Sequence, residues 1–165
     1  PISFYGISKL TAEEYIKFYP LPYTTKIVLR LFNVYGPGHD SKSTMHGMVG
    51  IYLNQINKKN KLVVKGKLNR YRDFIYIDDV LMIIKKCMNL KNRTFNLFNV
   101  STSKKIYVKD LINKIIHLKN KKVKIKILKN TPGDQHGIYG NNVKIKKFFK
   151  IKKLESLVQG LRKTI

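Results

Sequence analysis

The spacing of apolar and polar residues predicts a chain that alternates between helices and strands. From Ser3 to about Tyr19 the apolar positions recur at helical spacing, with Ser3 as the N-cap and prolines just after the end. Thr25 to Phe32 is β-branched and apolar, as expected for a buried strand of a parallel sheet. The loop predicted from Asn33 to Gly38 then lies at the carboxyl end of this strand, where α/β sheets bind ligands.

The remaining elements are shorter and more varied. Further helices are predicted at His46 to Asn57, Val80 to Met88, Val108 to Leu118, Asn142 to Phe149 and Leu154 to Thr164. Further strands are predicted at Leu62 to Val64, Arg72 to Ile77, Phe95 to Val100 and Lys122 to Leu128, the last with one wet face. Asp78 and Asp79 are expected to cap the helix that follows them. This order favours the edge of an α/β sheet with a small appended α/β lobe.

Composition narrows the class of protein. The 165 residues are enough for one domain with a core, and no apolar run approaches a membrane span, so we expect no membrane partner. The single cysteine, Cys87, excludes an internal disulfide, fits the reducing conditions expected of a cytoplasmic protein, and is interpreted as a small buried hydrophobe. The net charge of +25 raises the alternative of a basic nucleic-acid-binding module. Because the excess is scattered lysine with few arginines, solvated lysine faces are the preferred interpretation, without specific nucleic-acid binding.

Tyr5 and Lys9 form the first candidate for chemistry. They are four residues apart, so on a helix they share one face. An ammonium beside a phenol favours the phenolate and lowers the pKa of the tyrosine, which would suit Tyr5 to act as a general base. Taken alone, the spacing is weak evidence, since most such pairs are ordinary neighbours on a helix surface. His39 and His46 lack companion ligands, so no metal is assigned.

Four motifs in order make the resemblance specific. The segments Ser3–Lys9 (SFYGISK), Leu29–Gly38 (LRLFNVYGPG), Arg72–Val80 (RDFIYIDDV) and Phe95–Val100 (FNLFNV) resemble the extended short-chain dehydrogenase/reductase family. Within that family they are most similar to the NAD-dependent epimerase/dehydratase group, and nearest to the UDP-glucose 4-epimerases. The resemblance covers essentially the whole chain.

The resemblance implies an enzyme that uses NAD and acts on a UDP-sugar. It implies that Tyr5 takes a proton from a sugar hydroxyl while the adjacent C–H gives hydride to NAD, and that hydride return on the other face inverts C4. It places Tyr5, Lys9 and Phe32 beside the cofactor. It places Asn33, Arg72 and Asp134 at the nucleotide diphosphate and nucleotide. The rival role for Arg72 is a surface ion pair with Asp73, and for Asn33 it is turn chemistry.

The resemblance also implies an architecture and exposes departures from it. It implies the C-terminal part of a Rossmann-type parallel sheet, formed by about 1–35 and 70–100, with a substrate-binding lobe from about 36–69 and 101–165. The N-terminal NAD-binding half of the family is absent from this sequence, so the chain alone is expected to be inactive and poorly stable. The family's full-length enzymes imply a homodimer. Thr131 stands where members often have an arginine, and Asn141 where an aspartate is expected. Lys129 could partly replace the lost charge.

One enzymatic alternative remains open from the sequence. A nucleotide-sugar 4,6-dehydratase or decarboxylase of the same group would share the Tyr-x-x-x-Lys pair. Those enzymes need further acid and base residues, and the family places these before the region that this chain represents. The sequence therefore does not separate epimerase from dehydratase.

Overall fold

A computed structural model describes residues 1–20, 22–38, 47–129 and 135–165 of the chain. The helices are α1 (Phe4–Phe18), α2 (Met48–Lys59), α3 (Ile77–Met88), α4 (Val108–Lys119), α5 (Val143–Phe148) and α6 (Leu157–Thr164). The strands are β1 (Lys26–Leu31), β2 (Asn33–Tyr35), β3 (Lys61–Lys65), β4 (Tyr71–Arg72), β5 (Phe74–Tyr76), β6 (Phe95–Val100), β7 (Ile106–Tyr107) and β8 (Lys124–Leu128). Most predicted elements are thus confirmed to within a few residues.

Parallel strand pairs form the part of the fold that carries the predicted ligand edge. β1 pairs with β6 in parallel, from Lys26 opposite Phe95 to Leu31 opposite Val100. β2 pairs in parallel with β5, so the prediction of a loop beginning at Asn33 was wrong for its first three residues. Tyr35 explains the difference, because its buried ring packs edge-on against Phe74 and Tyr76. Pairing and burial override the local turn signal.

The predicted strand from Arg72 to Ile77 is divided at Asp73. Its first part, β4, pairs antiparallel with β7, while its second part, β5, pairs with β2. The divided strand therefore joins two separate sheet pieces. Asp73 lies between them, and its side chain is fully buried.

Two apolar clusters form the core of the described residues. One joins α2, β3, α4 and α6, and includes Ile56, Leu62, Leu111, Ile112 and Leu161. The other joins α3, α5 and β6, and includes Ile75, Ile83, Cys87, Phe98 and Ile145. Cys87 is buried there as a free thiol, as its apolar helical context predicted. No helix in the described part of the chain is long and apolar enough to cross a membrane.

β8 differs from the strand that its alternating pattern predicted. It pairs in parallel with β3, from Lys61 opposite Lys124 to Lys65 opposite Leu128. All of its residues are exposed, so both faces are wet and the expectation of one buried face was wrong. Nothing among the described residues covers Ile125 and Ile127, whereas Leu62 and Val64 of β3 face the core. The period of two identified the strand but not its burial.

The two aspartates at the start of α3 do not act as predicted. The N-cap of α3 is Tyr76, and no side chain caps it. Asp79 instead accepts a hydrogen bond from the backbone N–H of Glu155 at 2.9 Å, which ties the segment before α6 to α3. Burial raises the pKa of Asp79, and the charges of Glu155 and Asp78 add to the rise. Asp79 is therefore a buried tether between helices.

We expect Asp79→Asn to stabilise the chain near pH 7. Because the pKa of Asp79 is raised on folding, its protonated form favours the folded state, and this contribution is lost as pH rises through the raised pKa. The amide oxygen can still accept the Glu155 N–H without a buried charge. Urea denaturation should show a gain on the order of 1 kcal/mol at pH 7 that shrinks as pH falls through the raised pKa of Asp79 and is gone below about pH 4. Asp78→Asn is the control, and an equal gain there at pH 7 would contradict the assignment.

Candidate active site

Tyr5 and Lys9 lie side by side in the first turns of α1. Ser3 caps the helix by accepting a hydrogen bond from the Gly6 N–H at 3.1 Å. The Lys9 ammonium lies 5.4 Å from the centre of the Tyr5 ring, so the two side chains share a face as their spacing predicts. Tyr5 is 72% exposed, and α1 has no buried residue. The pair is therefore open to a ligand from outside this chain.

Polar contacts set the position of α1 against β1. The Arg30 guanidinium donates to both Glu13 carboxylate oxygens at 2.7 and 2.5 Å, which lowers the pKa of Glu13. The Lys26 ammonium donates to the carbonyls of Lys17 and Tyr19, both at 2.9 Å. It thus supplies hydrogen-bond donors to carbonyls at the end of the helix that lack a partner within the helix. The start of β1 thus meets the end of α1, and the two elements run antiparallel.

This antiparallel arrangement brings the Tyr5–Lys9 pair to the carboxyl end of β1. Lys9 precedes Glu13 by about one helical turn, a rise of about 6 Å. A strand advances about 3.3 Å per residue, so Lys9 is level with the residues about two positions beyond Arg30. Those residues include Phe32, and Asn33 follows it. Separate elements therefore bring the predicted base and two of the predicted site residues, Phe32 and Asn33, to one edge.

A cavity of about 630 Å³ opens at this edge. It is lined by Phe32 and Asn33, and also by Arg30, Leu31, Asn99, Ile138, Tyr139, Gly140 and Asn141. Gly140 is required here, because a Cβ on it would lie 2.6 Å from the Phe32 ring and 2.5 Å from the Ser101 hydroxyl. Ser101 Oγ is buried and has no hydrogen-bond partner among the described residues. The cavity is lined mainly by polar and aromatic groups.

Asn33 has a partner on the neighbouring strand. Its amide nitrogen donates to the Asp73 carbonyl at 2.9 Å, and its backbone N–H donates to the same oxygen at 3.1 Å. One amide hydrogen and the amide oxygen face away from that contact. The side chain is therefore oriented by the backbone of Asp73, just before β5, while it keeps polar atoms for the cavity.

Asp73 is a residue that the sequence analysis did not assign to the site. Its carboxylate accepts from the Thr102 N–H and hydroxyl at 2.8 and 2.6 Å, from the Ser103 N–H at 2.8 Å and from the Gly140 N–H at 3.3 Å. These bonds hold the segment after β6 and the cavity wall at Gly140. The expected alternative for Arg72, a surface ion pair with Asp73, does not fit this buried carboxylate. A charge before the apolar run Phe74–Tyr76 was the available signal.

Arg72 lies on the other side of this segment. Its guanidinium donates to the carbonyls of Tyr71 at 2.8 Å and Gln135 at 3.0 Å. Burial lowers the pKa of Arg72, and the charge of Arg70 lowers it further, although guanidinium stays protonated in proteins. Arg70 is a second residue that the sequence analysis left without a role.

The structure brings together some of the predicted site residues and not others. Phe32 and Asn33 share the cavity, and Asn141 lines it too. Tyr5, Lys9 and Arg72 are not among its lining residues. Asp134, Thr131, His39 and His46 lie outside the described residues, so their predicted roles stay predictions.

Comparison with known proteins gives consistent relatives. The model of the NAD dependent epimerase/dehydratase family matches residues 1–101. A Methanocaldococcus jannaschii protein provisionally assigned as a UDP-glucose 4-epimerase is 36% identical over 118 residues, which are 71% of this chain and 37% of that protein. The dTDP-4-dehydro-6-deoxyglucose reductase of Escherichia coli is 32% identical over 124 residues, covering 73% of this chain and 38% of the enzyme.

Among solved structures, the UDP-glucose 4-epimerase of Thermotoga maritima, crystallised with UDP-glucose, superposes with a TM-score of 0.89 at 28% identity. The superposition covers 99% of this chain and 52% of that one, so the chain spans about half the length of that enzyme. The Rossmann-type α/β class predicted from the motifs is thereby confirmed. The chain belongs to the NAD-dependent epimerase/dehydratase family of nucleotide-sugar enzymes.

Proposed function

We propose that this chain is the catalytic-base and substrate-binding half of a UDP-hexose 4-epimerase. The observation that carries the proposal is the Tyr5–Lys9 pair, held together on an exposed face at the same sheet edge as the Phe32–Asn33 cavity. A phenol beside an ammonium, at the sheet edge where a cavity is lined by polar groups such as Asn33, suits removal of a proton from a bound hydroxyl. The family supplies the class of substrate, a nucleotide sugar.

The proposed reaction uses Tyr5 as base and then as acid. The Tyr5 phenolate takes the proton of the C4 hydroxyl, and the C4–O bond becomes a carbonyl as hydride leaves C4. NAD, held at its nicotinamide ribose end by Lys9, would supply the hydride acceptor for this step and the hydride donor for its reversal. The keto-sugar then rotates in the site and presents its other face. Hydride returns to C4 on that face and Tyr5 gives the proton back to the C4 oxygen, so the net change is inversion at C4. The Lys9 ammonium stabilises the phenolate and donates to the cofactor ribose.

Three residues are proposed to hold the nucleotide. Asn33 offers its remaining amide hydrogen to a phosphate oxygen without adding charge. The Arg72 guanidinium pairs with the diphosphate, where a planar two-pronged donor suits the anion. Asp134 is proposed to contact the nucleotide. The carbonyls that hold Arg72 orient its guanidinium before the ligand arrives.

The residues present fit one end of NAD and not the whole of it. The exposed Tyr5–Lys9 face and the Phe32 ring at the cavity wall offer a hydrogen-bonding side and an apolar side for the nicotinamide ribose end. We propose that the rest of the cofactor site is supplied by polypeptide that precedes this region in the parent enzyme, since the matched relatives are about twice as long. We accordingly propose that the 165-residue chain alone does not turn over substrate.

The proposed function is tested by identifying the sugar products that the parent enzyme forms. The parent enzyme, incubated with NAD and UDP-glucose, should form UDP-galactose, and it should do the reverse from UDP-galactose. Formation of a 4-keto-6-deoxy sugar or release of carbon dioxide would favour the dehydratase or decarboxylase alternative of the same family. Turnover by the purified 165-residue chain alone would contradict the proposed division of the active site.

We expect Arg72→Gln to weaken UDP binding by about 10- to 100-fold, the loss typical of a charge-assisted hydrogen-bonding pair. Isothermal titration of the chain with UDP measures it, and uridine, which lacks phosphate, should bind both proteins alike. Arg162→Gln in the last turn of α6 is the matched control, because it removes an exposed arginine far along the chain from Arg72. An equal loss in the two variants, or an equal loss for uridine, would contradict the role of Arg72.

A further inference from the structure

We propose that a second cavity, lined by four lysines, binds a soluble small molecule that carries two or more phosphate groups. This lysine cavity has a volume of about 260 Å³ and shares no described lining residue with the Phe32–Asn33 cavity. Its lysines are Lys104, Lys146, Lys152 and Lys153. The cavity lies outside the proposed catalytic and nucleotide-binding groups, because neither Tyr5 nor Arg72 lines it.

Three separate segments bring these lysines to one cavity. Lys104 lies between β6 and β7, and Lys146 lies on α5. Lys152 and Lys153 lie between α5 and α6. A cleft lined by charges of one sign focuses their electrostatic potential on whatever enters it. The lysine cavity therefore attracts anions more strongly than the same lysines would if they were scattered over the surface.

Nearby carboxylates do not cancel this charge. Glu155 is the one carboxylate among the described lining residues, and the Lys163 ammonium binds it at 3.0 Å. Asp73 accepts a hydrogen bond from the Thr102 N–H in one wall. Asp79 accepts a hydrogen bond from the Glu155 N–H in another wall. In the described part of the chain, no carboxylate forms an ion pair with any of the four cavity lysines.

Buried polar contacts hold the cavity walls in place before a ligand binds. The buried Asp73 carboxylate accepts from the Thr102 N–H at 2.8 Å and from its hydroxyl at 2.6 Å, just before the first of the lysines. Asn142, the N-cap residue of α5, is only 5% exposed, and its side chain donates to the Ser101 carbonyl at 2.8 Å. The Asp79 tether holds the third segment. Ligand binding therefore has to order only the lysine side chains, which limits its entropic cost.

The size and charge of the lysine cavity define the class of ligand. The cavity is suited to a small organic phosphate, whereas a nucleic acid would bind across the surface around it. Ammonium groups donate charge-assisted hydrogen bonds to phosphate oxygens. Lysines from three segments suit an anion with more than one phosphate group. Binding of that anion also relieves the repulsion among the lysines, and a neutral molecule does not.

Inorganic tripolyphosphate tests the cavity without a nucleoside. The 165-residue chain carrying Arg72→Gln is titrated by isothermal calorimetry in about 0.15 M salt, which reduces binding at the proposed diphosphate contact and long-range attraction. We expect Lys146→Gln with Lys153→Gln to weaken tripolyphosphate binding by at least about tenfold, through loss of charge-assisted hydrogen bonds. The matched control is Lys147→Gln with Lys150→Gln, which removes two exposed charges from the same basic segment outside the cavity. It should stay within about threefold of the parent affinity.

A second cavity variant guards against a local folding defect. Lys104→Gln with Lys152→Gln should give a similar loss, and circular dichroism checks that each variant keeps its fold. Equal losses in the cavity and control variants would show that net charge alone attracts the anion and would overturn the site. The same holds if a single-stranded RNA displaces tripolyphosphate and loses affinity equally in both kinds of variant, because the lysines would then serve nucleic acid.

The two proposals fail separately. Tripolyphosphate binding by the wild-type chain that disappears in Arg72→Gln would place the anion at Arg72, overturn the lysine cavity and leave the proposed function standing. No binding by either chain would overturn the lysine cavity as well. A loss confined to the cavity variants would support the site whether or not the parent enzyme converts UDP-glucose to UDP-galactose.

Discussion

Replacing Tyr5 by Phe is expected to lower turnover of the parent enzyme by about 10²- to 10⁴-fold, the range that general acid–base catalysis contributes. The change removes one oxygen, which carries the proton in both directions between enzyme and sugar hydroxyl. Tyr5 is exposed and does not support the core, so stability should stay unchanged. NAD binding should also persist, because Lys9 and the cavity wall remain. Turnover of UDP-glucose and UDP-galactose, with NAD binding measured separately, checks this.

The same helix offers a matched control. Tyr15 is also on α1 and is also 72% exposed, so Tyr15→Phe makes the same chemical change in a similar environment. It should keep full activity. Retained epimerisation by Tyr5→Phe, or an equal loss in Tyr15→Phe, would contradict the assignment of the base.

Replacing Asp73 by Ala is expected to lower the free energy of unfolding by about 3–5 kcal/mol, because several buried donors lose their acceptor and each costs about 1–3 kcal/mol when left unsatisfied. The carboxylate is fully buried and accepts from Thr102, Ser103 and Gly140. Without it, those N–H groups lose their acceptor inside the protein. Urea denaturation of the 165-residue chain, followed by circular dichroism, measures the change.

Two further variants, Asp73→Asn and Asp110→Asn, test whether the loss of stability comes from the buried carboxylate. In Asp73→Asn, the new amide could accept from one side but would direct its own N–H groups at donors on the other, so we expect a loss of about 1–3 kcal/mol. Asp110 is an exposed carboxylate in the first turn of α4, and its amidation should change stability by less than about 0.5 kcal/mol. Equal stability of wild type and Asp73→Ala would show that water replaces the carboxylate.

The sequence was most informative where local pattern and packing agree. α1, β1, α4 and β6 combine a regular apolar period with end signals such as Ser3, and their predicted bounds differ from the observed bounds by at most about two residues. The predictions for β2 and β8 were less accurate. Asn33 to Tyr35 has turn residues on one side and depends on β5, a distant strand, for its pairing. The burial of β8 depends on what packs over it, which no local period records.

The candidate site shows the same contrast between features that local pattern predicts and features that depend on distant contacts. Tyr5 and Lys9 were predicted to share a face because helix geometry fixes neighbours four residues apart, and the structure confirms that geometry. Their catalytic role remains a prediction. The partners of Asp73 could not be found from the sequence. They depend on contacts between segments that are far apart in the chain, such as Asp73 with Gly140.

Because α1 has no buried side chain, its docking against β1 is an equilibrium that ligands and salt can shift. Among the described residues, a carboxylate–guanidinium pair and a lysine cap hold α1 against β1, and α1 has no buried side chain. We therefore expect α1 to open locally at a lower free energy than the core. Any ligand that touches both Lys9 and the β1 edge then binds only the docked form and shifts the opening equilibrium towards it. Ligand affinity and amide hydrogen exchange in α1 become linked quantities. Added salt, which screens the Glu13–Arg30 pair, should lower the ligand affinity and speed the amide exchange of α1 together.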